Sequence, residues 1–137
     1  MAQTPHIDTL RSPLGRARGL GSARAGSKHW WAQRVTAIAL VPLTLWFIWS
    51  VLHLLGASQA QIGMWLNSPV QLALMLALIV ATFQHLQLGL QVVIEDYVPN
   101  ETLKLAAVLA VKGACILLAL ICIVSALTLG LSTWEDG

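Results

Sequence analysis

Residues 70–94 read VQLALMLALIVATFQHLQLGLQVVI, 25 residues without a formal charge. At about 1.5 Å of rise per residue such a run makes a helix of about 37 Å, long enough to cross a hydrocarbon core of about 30 Å. Two more uncharged runs accompany it, Val35–Leu55 with 21 residues and Gly113–Leu131 with 19. Each is close to the length a spanning helix needs, so three transmembrane helices are predicted, over about 33–55, 70–94 and 106–131. The totals agree: of 137 residues 57% are hydrophobic and 10% charged, against about 25% charged in an ordinary soluble domain. The expected fold class is an all-α membrane protein. The residues ahead of the first run are rich in Gly, Ser and Arg and lack the apolar periodicity of a soluble core, so no catalytic domain is expected there.

Charge sets the expected orientation. Arg11, Arg16, Arg18, Arg24, Lys28 and Arg34 all precede the first uncharged run, whereas the loop from Gly56 to Pro69 has no charge at all. Basic residues stay on the cytoplasmic side, so the N-terminus is predicted inside and, after three spans, the C-terminus outside, on the periplasmic face. The second loop, Glu95 to Lys104, is then cytoplasmic. Trp30 and Trp31 would mark the inner interface, and Trp65 and Trp134 the outer one. The Arg-rich start has the composition of a transit peptide but is read here as a cytoplasmic arm, residues 1–29, ahead of a membrane anchor over 30–137. Cys115 and Cys122 share one helix face about 10 Å apart, too far for a disulfide, and read as packing residues. Lys112 precedes the third uncharged run and is expected to snorkel to the inner headgroups.

The central run raises a chemical question, because an imidazole inside an apolar span is costly unless something binds it. On a helix Gly89 and Ala81 fall about 40° from His85, and Asp96 about 20°, so all share its face. The ring would project between two small residues that leave room for a flat, wide group. Gln84, Gln87 and Gln91 form a different stripe, roughly 100 to 160° away, and predict contact with other helices. Two readings of His85 stand: a hydrogen bond across a helix interface, or an axial ligand to haem iron. Spacing does not choose between them. It does bear on a second ligand, since His85 lies about 15 Å from the inner end of its helix while His53 lies near the outer end of the first. His29 is at the inner interface and His6 in the arm, so a six-coordinate haem would take its other ligand from another subunit.

SKHWWAQRVTAIALVPL, residues 27–43, and HLQLGLQVVIEDYV, residues 85–98, together resemble the small cytochrome b membrane-anchor subunits (SdhD type) of succinate:quinone oxidoreductase, the succinate dehydrogenase of respiratory complex II. The likeness covers roughly residues 14 to 130, in the pattern S-x-H-W-x-x-Q-R and in H-x-x-x-G-x-Q-V-V-x-x-D-Y-V. It implies a three-helix bundle packed with a second, larger cytochrome b anchor subunit. His85, beside Gly89, would be an axial ligand of haem b, with the opposite ligand on that larger subunit. Arg34 would lie near the haem propionates. Asp96 and Tyr97 would border a ubiquinone-reduction site, fed from succinate through a flavoprotein subunit and an iron–sulfur subunit docked on the cytoplasmic face. Pro99 follows D-Y-V where the family often has a polar residue or histidine, so no proton-relay role is assigned there.

The chemistry of the last two residues stands beside that likeness. Quinone reduction takes two electrons and two protons, so it needs donors near water; a phenol can hold a carbonyl oxygen and a carboxylate can pass protons. The same pair also fits an interfacial tyrosine anchor beside a helix-ending aspartate. The expected function is thus a subunit without activity of its own, in a bacterial inner membrane ahead of a mitochondrial one, with lipids and no nucleic acid among its partners. The alternatives are an anchor of a fumarate reductase or other cytochrome b-type complex, and a structural membrane protein without a cofactor.

Overall fold

A computed structural model describes residues 24–132, with side chains from Ser27; most of the predicted arm, with His6, and Trp134, Glu135 and Asp136 lie outside the described residues. The chain divides after Trp31 into two compact units. In the first, the rings of Trp30 and Trp31 meet edge to face at 5.0 Å. The second, from Ala32 onward, holds the membrane helices and the candidate site.

All described elements are helices: α1 Arg24–His53, α2 Gln59–Leu66, α3 Pro69–Tyr97 and α4 Glu101–Ser132. Three are long and apolar enough to cross a membrane, Ser27–His53, Pro69–Tyr97 and Glu101–Ser132. Each begins before its uncharged stretch, and α3 and α4 also end beyond theirs while α1 stops at His53, two residues short, because charged side chains at a span's end favour water without breaking a helix. What breaks α3 is proline. Val98 has φ −100° and ψ 110°, the extended conformation that Pro99 imposes on the residue before it. Asn100 then caps α4, its Oδ1 accepting from the N–H groups of Thr102 at 2.9 Å and Leu103 at 3.2 Å. The cytoplasmic loop expected over Glu95–Lys104 therefore shrinks to three residues, Val98–Asn100. Lys112 accordingly lies eleven residues into α4 and half-buried, about 16 Å from the helix start.

The first connection also differs from the loop expected between Gly56 and Pro69. It contains α2, started by a capping box in which the Gln61 N–H donates to Ser58 Oγ at 3.3 Å and the Ser58 N–H donates to Gln61 Oε1 at 2.8 Å. Gly56, at φ +80°, makes the turn out of α1. Leu66 at the end of α2 is buried against Gly130 of α4: a Cβ on Gly130 would meet the Leu66 carbonyl oxygen at 3.2 Å. Asn67 Nδ2 donates to the Gly130 carbonyl at 3.1 Å, fastening the same junction.

Between α1 and α3 the ties are polar. Trp46 Nε1 donates to Gln71 Oε1 at 3.0 Å, and Thr36 Oγ1 pairs with His85 Nδ1 at 3.0 Å. Trp65 of α2 stacks on Trp46 with centroids 5.8 Å apart. Interhelical hydrogen bonds of this kind contribute about 0.6 to 2 kcal/mol each in a membrane, where packing alone does not favour one apolar neighbour over another. The buried apolar set is small, Leu66, Leu88, Cys115 and Ala126. Both cysteines are free, Cys115 buried and Cys122 half-buried, in keeping with packing roles.

Candidate functional site

α3 lies between α1 and α4, and its two polar stripes follow from that. His85 is on the side that meets α1. Gln87 and Gln91, on the other stripe, are half-buried, while Gln84 is exposed. Gln91 Nε2 donates to Glu95 Oε1 at 3.1 Å, a bond along the helix. Two of the three positions of the predicted stripe are therefore half-buried.

The half-buried His85 makes one hydrogen bond, between Nδ1 and Thr36 Oγ1. Nε2 has none. A turn further along α3, a Cβ on Gly89 would stand 3.8 Å from Gln33 Nε2, an ordinary contact. Gln33 thus borders the space that Gly89 and Ala81 leave beside the ring. Its Oε1 is buried without a hydrogen-bond partner, which is uncommon for an amide oxygen in a protein interior. These residues fit a haem ligand: one ring nitrogen is held by the Thr36 hydroxyl, the other has no competing bond among the described residues, and small residues flank it. Among the described residues no three His, Cys, Asp or Glu side chains gather into a metal site. His53 is on the same helix as Thr36 but seventeen residues on, about 26 Å along the axis. Its ring packs at a tilt against Trp49, with centroids 4.4 Å apart, and Nδ1 is within hydrogen-bond distance of the Trp49 carbonyl, 3.0 Å. It cannot face the metal side of His85.

Asp96 and Tyr97 end α3 about 16 Å along the axis from His85. Both are exposed, Tyr97 to 81%, so hydroxyl and carboxylate stand where water and a docked partner can reach them. Asp96 keeps the angular position of His85 and Gly89. Arg34 is exposed on α1, two residues before Thr36 and about 160° around the axis from it, so this chain does not bring its guanidinium to the imidazole. Sequence reasoning missed Thr36 and Gln33. The available signal was their spacing, two polar residues three apart on one face of an otherwise apolar helix.

Residues 8–129 match the family described as "Succinate dehydrogenase/Fumarate reductase transmembrane subunit". A "Succinate dehydrogenase hydrophobic membrane anchor subunit" of Rickettsia bellii is 38% identical over 104 residues, covering 75% of this chain and 82% of its own length. Proteins of the same description from Rickettsia conorii and Paracoccus denitrificans are each 33% identical, over 108 and 100 residues, or 78% and 73% of this chain and 86% and 78% of theirs. No solved structure matches the chain.

Proposed function

Because this chain belongs to the succinate dehydrogenase/fumarate reductase transmembrane-subunit family, as a hydrophobic membrane anchor of succinate dehydrogenase, we propose that it holds one side of a haem b and one wall of a ubiquinone-reduction site. On this reading it works only inside the complex, packed against a larger cytochrome b anchor in a bacterial inner membrane. An iron–sulfur subunit, itself fed by the flavoprotein that oxidises succinate, docks at the end of the bundle where α3 meets α4.

The observation that carries the reading is His85: an imidazole inside a spanning helix with one nitrogen hydrogen-bonded to Thr36 and the other without a partner. Haem b, when bound, supplies a one-electron carrier between the two anchors. His85 would be its ligand from this chain, Gly89 would leave it room, and Arg34, about half a turn before Thr36 on α1, would supply the counter-charge for a propionate. At the end of α3 the Tyr97 hydroxyl donates to a quinone carbonyl oxygen. Asp96 beside it, open to water, takes up and passes the protons that reduction consumes.

The test is His85→Ala in the assembled complex. Low-spin haem b is expected to be lost or strongly depleted, while the three helices still insert and the flavoprotein still co-purifies. An unchanged bis-histidine spectrum would rule out His85 as the ligand.

A further inference from the structure

Thr36 lies within reach of three partners and has one proton to give. Its Oγ1 is 2.8 Å from the carbonyl oxygen of Ala32, 3.0 Å from that of Gln33 and 3.0 Å from Nδ1 of His85. Carbonyl oxygens only accept, whereas a hydroxyl donates once and accepts through its lone pairs. Were the proton directed to Nδ1, a bare hydroxyl oxygen would face two carbonyl oxygens at 2.8 and 3.0 Å with no hydrogen between them. Directed instead to the carbonyls, as threonine hydroxyls in helices commonly are, it leaves a lone pair turned toward Nδ1. That nitrogen must then be the protonated one. Only this second arrangement makes all three contacts attractive.

We infer that Thr36 is the positioning residue for His85: its hydroxyl holds the imidazole as the Nδ1–H tautomer and so leaves the lone pair on Nε2. The functional consequence rests on the haem reading above; the placement of the proton does not. A metal-bound histidine needs one nitrogen unprotonated, and an acceptor on the other fixes the tautomer, orients the ring and raises its basicity. Thr36 does this from a neighbouring helix, so the ring cannot turn without losing the bond. Among the described residues no other side chain competes, since Nδ1 to Thr36 is the one hydrogen bond His85 makes there. Thr36 is itself held by the α1 backbone through Ala32 and Gln33, which makes the acceptor as rigid as the helix.

The experiment compares the wild-type complex with Thr36→Val, which keeps the shape and removes the hydroxyl, and Thr36→Ser, which keeps the hydroxyl. Three readouts are taken at equal flavin content: haem retained through detergent washing, the haem midpoint potential, and the 15N resonances of His85 in haem-depleted complex, assigned by their loss in His85→Ala. Thr36→Val is expected to lose haem at least tenfold more readily, to raise the midpoint potential because the ring is a weaker donor, and to show mixed tautomers. Thr36→Ser should match wild type, with Nδ1 protonated in both. A proton on Nε2 in the wild type overturns the inference. So does a Thr36→Val complex with wild-type haem retention and potential, or a Thr36→Ser complex as impaired as Thr36→Val. If Thr36→Val fails to assemble, the wild-type and Thr36→Ser tautomers still decide. If His85→Ala keeps its haem spectrum, the haem reading fails by itself, and the 15N measurement alone decides for or against Thr36.

Discussion

Tyr97 is a phenol left outside: 81% exposed, the last residue of α3, next to a carboxylate that is also exposed. A tyrosine serving only as an interfacial anchor would need its ring more than its hydroxyl, and this distinction makes Tyr97→Phe the informative change. If the hydroxyl donates to a quinone carbonyl, its loss removes one hydrogen bond at the reacting group, costing on the order of 1–3 kcal/mol, or tenfold to a hundredfold in rate. The loss should be selective. Quinone reduction is expected to fall while haem content, assembly and electron transfer from succinate to an artificial acceptor at the soluble subunits stay at wild-type levels. A wild-type quinone reductase rate would mean that the hydroxyl does not meet the substrate, and loss of all four properties together would make the residue structural. At this scale the sequence pointed to His85, Gly89, Asp96 and Tyr97 through their common motif, and the first, second and third of these share one face of α3. It did not point to Thr36 or Gln33: their spacing marks a polar face of α1, but which residue of another helix that face meets is a matter of interhelical register, which spacing along one helix does not carry.

One close junction between elements is where α2 ends on α4. A Cβ on Gly130 would lie 3.2 Å from the Leu66 carbonyl oxygen and 3.5 Å from Leu66 Cγ, so a branched side chain there must push α2 away and break the Asn67 to Gly130 hydrogen bond. Gly130→Val should therefore destabilise by roughly 1–3 kcal/mol, as overpacking does. Thermal unfolding of the purified complex would show a lowered midpoint, and the change in tryptophan emission should report the Trp46–Trp65 stack coming apart. The His85 end should be spared, with haem spectrum unchanged below the transition; an unaltered melting temperature would show that α2 is not seated on α4. The three long helices were legible as uncharged runs. Their true ends were less so, since charge marks where water begins and the helix goes on until a proline or a cap stops it, as Pro99 and Asn100 do. α2 hid for the opposite reason: eight residues make no apolar run, although Ser58 and Gln61 spell its capping box. Gly130 carried no signal, because close approach between segments distant in sequence leaves no local pattern.

For the whole molecule the surface is the argument. In the most apolar stretch of each long helix only 6% of residues are buried, and Ile38, Val41, Leu45 and Leu55 are more than 60% exposed. So much apolar area on a soluble protein would mark an interface or cause aggregation; here it calls for lipid and for contact with other subunits of the complex. Which way the bundle stands in the membrane depends on charge alone. Six of the eight Lys and Arg residues lie at or before Arg34, ahead of the first uncharged run, and the stretch between Gly56 and Pro69, which holds α2, has none. That bias predicts the Val98–Asn100 turn inside and both α2 and the end of α4 outside. Single cysteines read this directly once Cys115 and Cys122 are replaced by alanine. Gln59 is the better outer probe than Ser58, whose hydroxyl caps α2. In intact cells a membrane-impermeant maleimide should label Gln59→Cys and Ser132→Cys, and should reach Thr102→Cys only after the membrane is opened. Labelling of Thr102→Cys from outside, or protection of either of the others, would invert the bundle. The exposed Tyr97 would then face away from any cytoplasmic electron donor, and the quinone site proposed at that end would fall with the orientation.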